Sequence, residues 1–263
     1  MAVLMAIITL TTDFGTADWF VGSMKGVILG IEPRATIVDI AHEVPPGDIR
    51  AGAFALAACY RCFPRQTVHL AVIDPGVGSS RQAIAVKTAD YWFVGPDNGV
   101  LSFALMQEKM LLEIRRLDND VYFRKPVSST FHGRDIFAPV AARVAVGVEA
   151  DALGQKLEDY VRLPWPATKF ELNVVTGEVI YIDRFGNAIT NIDLPALARL
   201  GKPPWKVAAQ GKELGEVREF YQEVPAGEPL AVIGSSGFLE IAVNGGNAAQ
   251  TLGLKIGDAA EVK

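Results

Sequence analysis

Hydrophobic and polar positions follow two different periods along the first 150 residues or so. Ile7 to Thr11 is a β-branched run that opens into the loop Asp13-Phe14-Gly15-Thr16-Ala17-Asp18, the pattern of a buried strand and its exit. Phe20, Met24, Val27, Ile28 and Ile31 then recur at helical spacing and stop before Pro33. Thr36 to Ile40 predicts a second strand. Asp48 is placed to cap a helix over Ile49 to Tyr60, and Val68 to Ile73 predicts a third strand ending at Asp74. Ile84 to Lys87 and Trp92 to Val94 predict further strands around a turn at Thr88-Ala89-Asp90. A short helix over Val100 to Met106 and a longer one over Asp135 to Val146, with Pro139 near its start, complete the region. Strands alternating with helices predict an α/β fold with a mainly parallel sheet.

The texture changes after Leu163-Pro164-Trp165-Pro166-Ala167-Thr168, where proline blocks regular pairing. Val174-Val175, Glu178 to Ile182, Ala188 to Ile192, Trp205 to Ala208, Leu230 to Ile233, Phe238 to Val243 and Ala259 to Val262 read as short strands separated by Gly, Pro and Asn. They predict a small antiparallel β-barrel. The expected organisation is an α/β domain over 1–163, a linker over 164–170 and a β-barrel domain over 171–263.

Composition narrows the function. The chain has 263 residues and a formal net charge of -5, and no lysine- or arginine-rich block, so nucleic acid is not an expected partner. Met1 to Leu10 is apolar without a basic start or cleavage segment and reads as a buried first strand. No apolar run reaches the roughly 20 residues that span a bilayer. The two cysteines, Cys59 and Cys62, have C-x-x-C spacing, but no second pair completes a zinc site and the pair closes an Ala-rich helix; the structural reading is the stronger one. So few cysteines suit a reducing cytoplasm.

Candidate chemistry sits at strand ends. Asp13 suits a ribose diol or a helix cap. Asp74 and Arg81 flank Gly76-Val77-Gly78-Ser79-Ser80; they suit a water-fixing ion pair, an anion nest of loop amides, or a structural turn. His132, between Phe131 and Gly133, can handle a proton or simply pack. His69 alternates within a strand and reads as structural, whereas His42 is open. Asp13, Asp39, His42, Asp74 and His132 all lie near loops, yet no local ligand pair announces a metal, and neither metal nor cofactor is expected. Ser235, Ser236 and the strand from Phe238 through Glu240 offer hydroxyls and amides to a carboxylate, or simply form a hairpin turn. Phe185 and Phe238 suit stacking on a purine or a place in the core.

Taken in order, Thr12-Asp13-Phe14-Gly15 with Asp18, Val38-Asp39-Ile40-Ala41-His42, Asp74-Pro75-Gly76-Val77-Gly78 with Arg81, Gly95-Pro96-Asp97-Asn98-Gly99, Phe131-His132-Gly133-Arg134-Asp135, Asp183-Arg184-Phe185-Gly186-Asn187, and Ser235-Ser236-Gly237 with Asn244 resemble the S-adenosyl-L-methionine hydroxide adenosyltransferases. These are also called S-adenosylmethionine hydrolases and are relatives of fluorinase and chlorinase. The resemblance implies cleavage of S-adenosyl-L-methionine to adenosine and L-methionine by a homotrimer with sites between subunits. It implies a water-handling triad of Asp74, Arg81 and His132, and a ribose-diol carboxylate at Asp13. Asp18, Asp183 and Ser235 would meet the methionine end, with Phe185 and Asn187 on the adenine side. It also implies tyrosine in the halogenating relatives where Asp74 stands, a hydroxyl residue in place of Val77 and tryptophan in place of Gly47; at Ser236 the fluorinase has arginine. The reading of a different class is a non-catalytic adenosine- or S-adenosylmethionine-binding protein.

Overall fold

The computed structural model describes residues 6–263, so the Met1–Met5 part of the expected first strand lies outside the described residues. The chain divides into two compact units, Met1–Leu163 and Pro164–Lys263.

In the first unit the elements run β1 (Ile7–Thr12), α1 (Phe20–Ile31), β2 (Thr36–Ala41), α2 (Ile49–Cys59), β3 (Val68–Val72), β4 (Ala83–Thr88), β5 (Trp92–Pro96), α3 (Ser102–Gln107), β6 (Leu111–Arg116) and α4 (Ala138–Ala145). The sheet order is β2-β1-β3-β5-β4-β6. β2, β1, β3 and β5 are parallel, whereas β4 and β6 join antiparallel. The expected parallel sheet therefore carries an antiparallel flank, because only a tight turn at Thr88–Tyr91 separates β4 from β5 and a parallel crossover needs a dozen residues or more. β6 escaped the sequence reading because Leu111-Leu112-Glu113-Ile114-Arg115-Arg116 lacks strict alternation.

Alternation fixes the two sheet faces. Ile8, Leu10, Val68, Leu70 and Val72 pack with Met24 and Ile28 of α1 and with Val140 and Ala141 of α4. Thr9, Thr11 and His69 point the other way and are fully buried. Parallel strands buried on both faces read as near-continuous apolar runs, as β3 does. Asp48 caps α2 by accepting from Ala51 N at 2.9 Å. The long helix expected from Asp135 instead begins as a π-helical turn, Gly133–Phe137, and becomes α-helical at Ala138 with Pro139 in its first turn. Such turns insert one residue into the helical ladder and recur at functional sites.

The second unit contains β7 (Lys169–Glu171), β8 (Val174–Ile182), β9 (Ala188–Asp193), α5 (Leu194–Ala198), β10 (Lys206–Ala209), β11 (Lys212–Arg218), β12 (Pro229–Ile233), β13 (Phe238–Val243), α6 (Ala248–Leu252) and β14 (Ala259–Val262). The order β14-β10-β11-β12-β13-β9-β8 closes through β14–β8, giving the barrel, with β7 appended to β8. One pairing, β11 with β12, is parallel rather than antiparallel. The barrel core is formed by Val175, Val179, Ile192, Val207, Leu239, Ile241 and Val262.

Candidate active site

β3 carries the chain from Val72 through Ile73 to Asp74, at the edge of a tight loop. Val77 N donates to Asp74 O, Ser79 N to Gly76 O and Ser79 Oγ to Gly76 O. Two loop amides thus turn onto the loop's own carbonyls, and the organised feature is an ion pair rather than an anion nest. Gly78 has φ +77°, and a Cβ there would lie 2.3 Å from Ser129 O, so only glycine lets this loop coil against the 128–131 segment. The coil returns Arg81 to Asp74. Arg81 Nε donates to Asp74 Oδ1 at 2.8 Å, and a terminal guanidinium nitrogen reaches Asp74 Oδ2.

That same terminal nitrogen donates to His132 Nδ1 at 2.9 Å. His132 stands immediately before the π-helical turn. The Phe137 ring centroid, from the same turn, lies 5.1 Å from the Arg81 guanidinium carbon, an aromatic face that stabilises the cation. The segment is clamped by fully buried Asp135, which accepts from Arg134, Arg124 and Ser128 N. Burial first, and then the positive charge of Arg81, push the His132 pKa below the usual imidazole value, against the opposing pull of Asp74 and Asp135. The imidazole is neutral at pH 7. An arginine never accepts a proton, so Nδ1 is the acceptor and the ring proton sits on Nε2.

Asp13 approaches from the end of β1. Its Oδ2 accepts from Gly47 N at 2.7 Å, and the residue flanking α1 at its N-terminus is Trp19, so Asp13 is not a helix cap. Asp13 and Asp74 line one cleft of about 530 Å³, with Phe14, Phe20, Phe131, Pro46, Gly47 and Pro75 among the walls. Phe14, Phe20 and Phe131 pack edge to face or tilted with centroids 5.2–5.9 Å apart. Sequence reading missed this apolar wall; the only signal was that Phe14 and Phe131 adjoin Asp13 and His132, with Phe20 seven residues beyond Asp13. Asp18 is exposed and is not part of the cleft wall, beside Trp19, which is 70% exposed.

The site residues expected in the second unit gather in two turns. Asp183 organises the β8–β9 turn, its Oδ1 accepting from Phe185 N and Asn187 N and its Oδ2 from Asn187 Nδ2, at 2.9–3.0 Å. This leaves Phe185 projecting, 75% exposed, and Asn187 buried. Ser235 and Ser236 occupy the β12–β13 turn at the other end of the β9–β13 ladder, since Ala188 pairs with Ile241 and Phe238 with Asp193. Ser235 is exposed, Ser236 Oγ is buried without a hydrogen-bond partner, and Phe238 packs on Trp165 at 5.5 Å. Glu240 lies between the turns and accepts from Tyr221 Oη at 2.6 Å. Burial raises its pKa, Tyr221 opposes that, and the charge of Asp183 adds to it.

Other candidates have structural places. His69 is enclosed by Tyr60, Phe63, Tyr91 and Phe93, with Nδ1 2.8 Å from Thr9 Oγ1. The Cys59 thiol is pushed up by burial, then by Cys62, opposite to an activated thiolate. Among the described residues, no group of three or more His, Cys, Asp or Glu side chains is arranged to hold a metal ion, and no helix is long and apolar enough to cross a membrane.

An ion pair of a carboxylate and an arginine, a neutral histidine, a second carboxylate and an aromatic wall suit the handling of a water molecule next to a polar, diol-bearing ligand. Comparison with known proteins agrees with this chemistry. A solved structure of an uncharacterized conserved protein from Thermotoga maritima superposes with a TM-score of 0.91 at 42% identity, covering 97% of this chain and 99% of that one. An (R)-S-adenosyl-L-methionine hydrolase of Salinispora tropica is 42% identical over 254 residues, 95% of both chains. A fluorinase of Actinoplanes is more distant, at 28% over 285 residues and 95% of both chains. Residues 8–154 match the model of the SAM hydroxide adenosyltransferase N-terminal domain, and residues 177–261 match that of its C-terminal domain. With both domain models matched in order and a near-full-length relative well above 30% identity, the chain belongs to the SAM hydroxide adenosyltransferase family.

Proposed function

We propose that the protein hydrolyses S-adenosyl-L-methionine to adenosine and L-methionine by attack of water on C5′ of the ribose. The observation that carries this is the Arg81-bridged array of Asp74 and His132, with Asp74 on the wall of the cleft that also holds Asp13. Asp13 takes the ribose hydroxyls, as acidic residues do at strand ends in nucleotide folds. The water oxygen forms a bond to C5′ while the C5′–S bond breaks, its electron pair neutralising the sulfonium as methionine's thioether. The water proton passes to Asp74. His132 is the weaker acceptor, because Arg81 already occupies its Nδ1, and its Nε2–H orients the water by donation. Holding that water on the C5′–S axis contributes several kcal/mol of orientation. The aromatic wall of Phe14, Phe20 and Phe131 favours loss of the sulfonium charge.

A halide as nucleophile is disfavoured by the same residues, since a carboxylate at position 74 repels an anion in a site of low dielectric. The remaining contacts come from Asp18 of the first unit and from residues of the second: Asp18 and Asp183 for the methionine ammonium, Ser235 and Ser236 for its carboxylate, and Phe185, Asn187 and Phe238 for adenine. The α/β domain over 1–163 and the barrel domain over 171–263 would meet across subunits of a cytoplasmic homotrimer.

The test is incubation of metal-stripped protein with S-adenosyl-L-methionine in halide-free buffer made with ¹⁸O water. Equimolar adenosine and methionine, with the label in the adenosine 5′-hydroxyl, support the proposal. Unlabelled adenosine overturns attack at C5′. Retention of intact ligand without turnover marks a binding protein.

A further inference from the structure

A second line of polar side chains stands behind the cleft. Thr12, the last residue of β1, is fully buried. Its Oγ1 accepts from Phe14 N at 3.3 Å and lies 2.8 Å from His42 Nδ1. His42 is 6% exposed, and its Nε2 lies 3.0 Å from Asp39 Oδ1 in an electrostatic contact rather than an aligned hydrogen bond. Asp39 in turn pairs with Lys25 of α1 at 2.6 Å. Burial raises the Asp39 pKa, but Lys25 and His42 outweigh it, and the net shift is downward. The His42 backbone joins in, its carbonyl accepting from Gly15 N at 2.8 Å.

A register irregularity makes this possible. β1 and β2 pair Leu10 with Asp39 and then Thr11 with Ala41, so Ile40 is an extra residue. In a regular strand, positions three apart point to opposite faces; a bulge re-aims the chain. Here it lets Asp39 and His42 meet. The result ties the two residues that follow Asp13: Phe14 through its amide to the Thr12 hydroxyl, and Gly15 through its amide to the His42 carbonyl. Asp13 is thus held between buried Thr12 on one side and these two tied amides on the other.

We infer that Thr12 and His42 are positioning residues that hold the Asp13 loop in the conformation presenting its carboxylate to the ribose diol. This rests on the hydrolase reading above. Neither residue touches substrate; both act through Asp13.

The experiment is a double-mutant cycle read as the dissociation constant of adenosine, with 2′,3′-dideoxyadenosine as the control that lacks the diol. Thr12→Val keeps the side-chain shape and removes the hydroxyl; Thr12→Ser keeps the hydroxyl. Asp13→Ala removes the diol carboxylate. We expect Thr12→Val to weaken adenosine at least fivefold and the dideoxy analogue less than twofold. Thr12→Ser should stay near wild type, and Thr12→Val should add little on top of Asp13→Ala. KM for S-adenosyl-L-methionine should rise with kcat within about twofold. Asp39→Asn, on a half-exposed residue, is the second variant should Thr12→Val not fold, and should shift adenosine in the same direction by a smaller factor. Asp13→Ala weakening adenosine while Thr12→Val and Asp39→Asn leave it unchanged, or weaken both nucleosides alike, overturns the positioning role and leaves the hydrolase reading intact. Asp13→Ala leaving adenosine binding unchanged overturns the diol assignment itself, and the positioning role with it.

Discussion

Arg81 and His132 share one hydrogen bond in which the guanidinium is the donor and Nδ1 the acceptor, at 2.9 Å. A protonated imidazole cannot accept it, so the array exists only with neutral His132. Burial and the Arg81 charge hold the His132 pKa below 6.5. The midpoint of the acid limb of kcat/KM therefore lies below pH 6.5, and activity is lost as the pH falls through it. A limb centred above pH 6.5 contradicts this assignment of the proton.

Asp74 is the group with both the charge and the position to take the water's proton. Asp74→Asn keeps the volume and removes the base; general-base contributions run about 10²–10⁴-fold, so kcat should fall by at least about 10², roughly 2.7 kcal/mol of barrier. KM should change little. Arg81→Lys cannot bridge a carboxylate and an imidazole with a planar fork and should lose at least tenfold in kcat. Rapid-quench single turnovers with both variants separate this from slowed product release. Unaltered single-turnover rates remove Asp74 from the chemistry.

Much of this was legible in the chain. α1 could be placed to the residue, because its apolar spacing is strict and Pro33 ends it. Asp48 was readable as a cap because the cap is local chemistry. The antiparallel flank of the sheet was not, since strand direction is decided by a turn's length and by tertiary pairing rather than by period. The π-helical turn after His132 was read as ordinary helix, because a one-residue insertion leaves no compositional trace. For the site, the residues were visible but their partners were not. Asp74 and Arg81 are seven apart and suggest a pair; only the family resemblance joined His132 to them, and spacing does not say that Arg81 reaches across 51 positions to donate to His132 Nδ1. Nor does it say that His42 and Asp39 share a face, which depends on the β1–β2 bulge.

His69 gives the fold a pH dependence of its own. It is fully buried, and burial lowers its pKa to about 3. The unfolded chain, with an ordinary value near 6.5, binds a proton that the folded chain refuses. Its contribution is therefore complete above pH 6.5 and is lost progressively as the pH falls toward 3. At pH 5 the loss amounts to about 2 kcal/mol. His69→Phe, which suits the aromatic enclosure, should flatten the fall in unfolding free energy between pH 7 and pH 5 relative to wild type. Urea titrations at the two pH values measure it, and parallel slopes for the two proteins refute it.

Tyr221 and Glu240 make the corresponding test in the barrel. Glu240 is 6% exposed, and its carboxyl accepts a hydrogen bond from Tyr221 Oη at 2.6 Å. The hydrogen bond to Glu240, with burial second, drives the Tyr221 hydroxyl up to about 12, so it remains a donor across the working range. Tyr221→Phe removes the donor and leaves the acid in place. A buried acceptor stripped of its partner costs about 1–3 kcal/mol, more when charged. Glu240 already titrates above an ordinary glutamate because of burial, and losing Tyr221 raises it further, since Tyr221 is the group that pulls it down. The destabilisation should accordingly be largest near pH 8, where the carboxylate is charged, and shrink toward pH 5 as it takes up a proton. Glu240→Gln in the Tyr221→Phe background should remove most of that pH dependence, because an uncharged amide has nothing to titrate. Thermal unfolding of the four proteins at pH 5 and pH 8 decides it: a Tyr221→Phe penalty that is equal at both values means the Glu240 charge is solvated by some other group, and the Tyr221 contact then contributes packing alone.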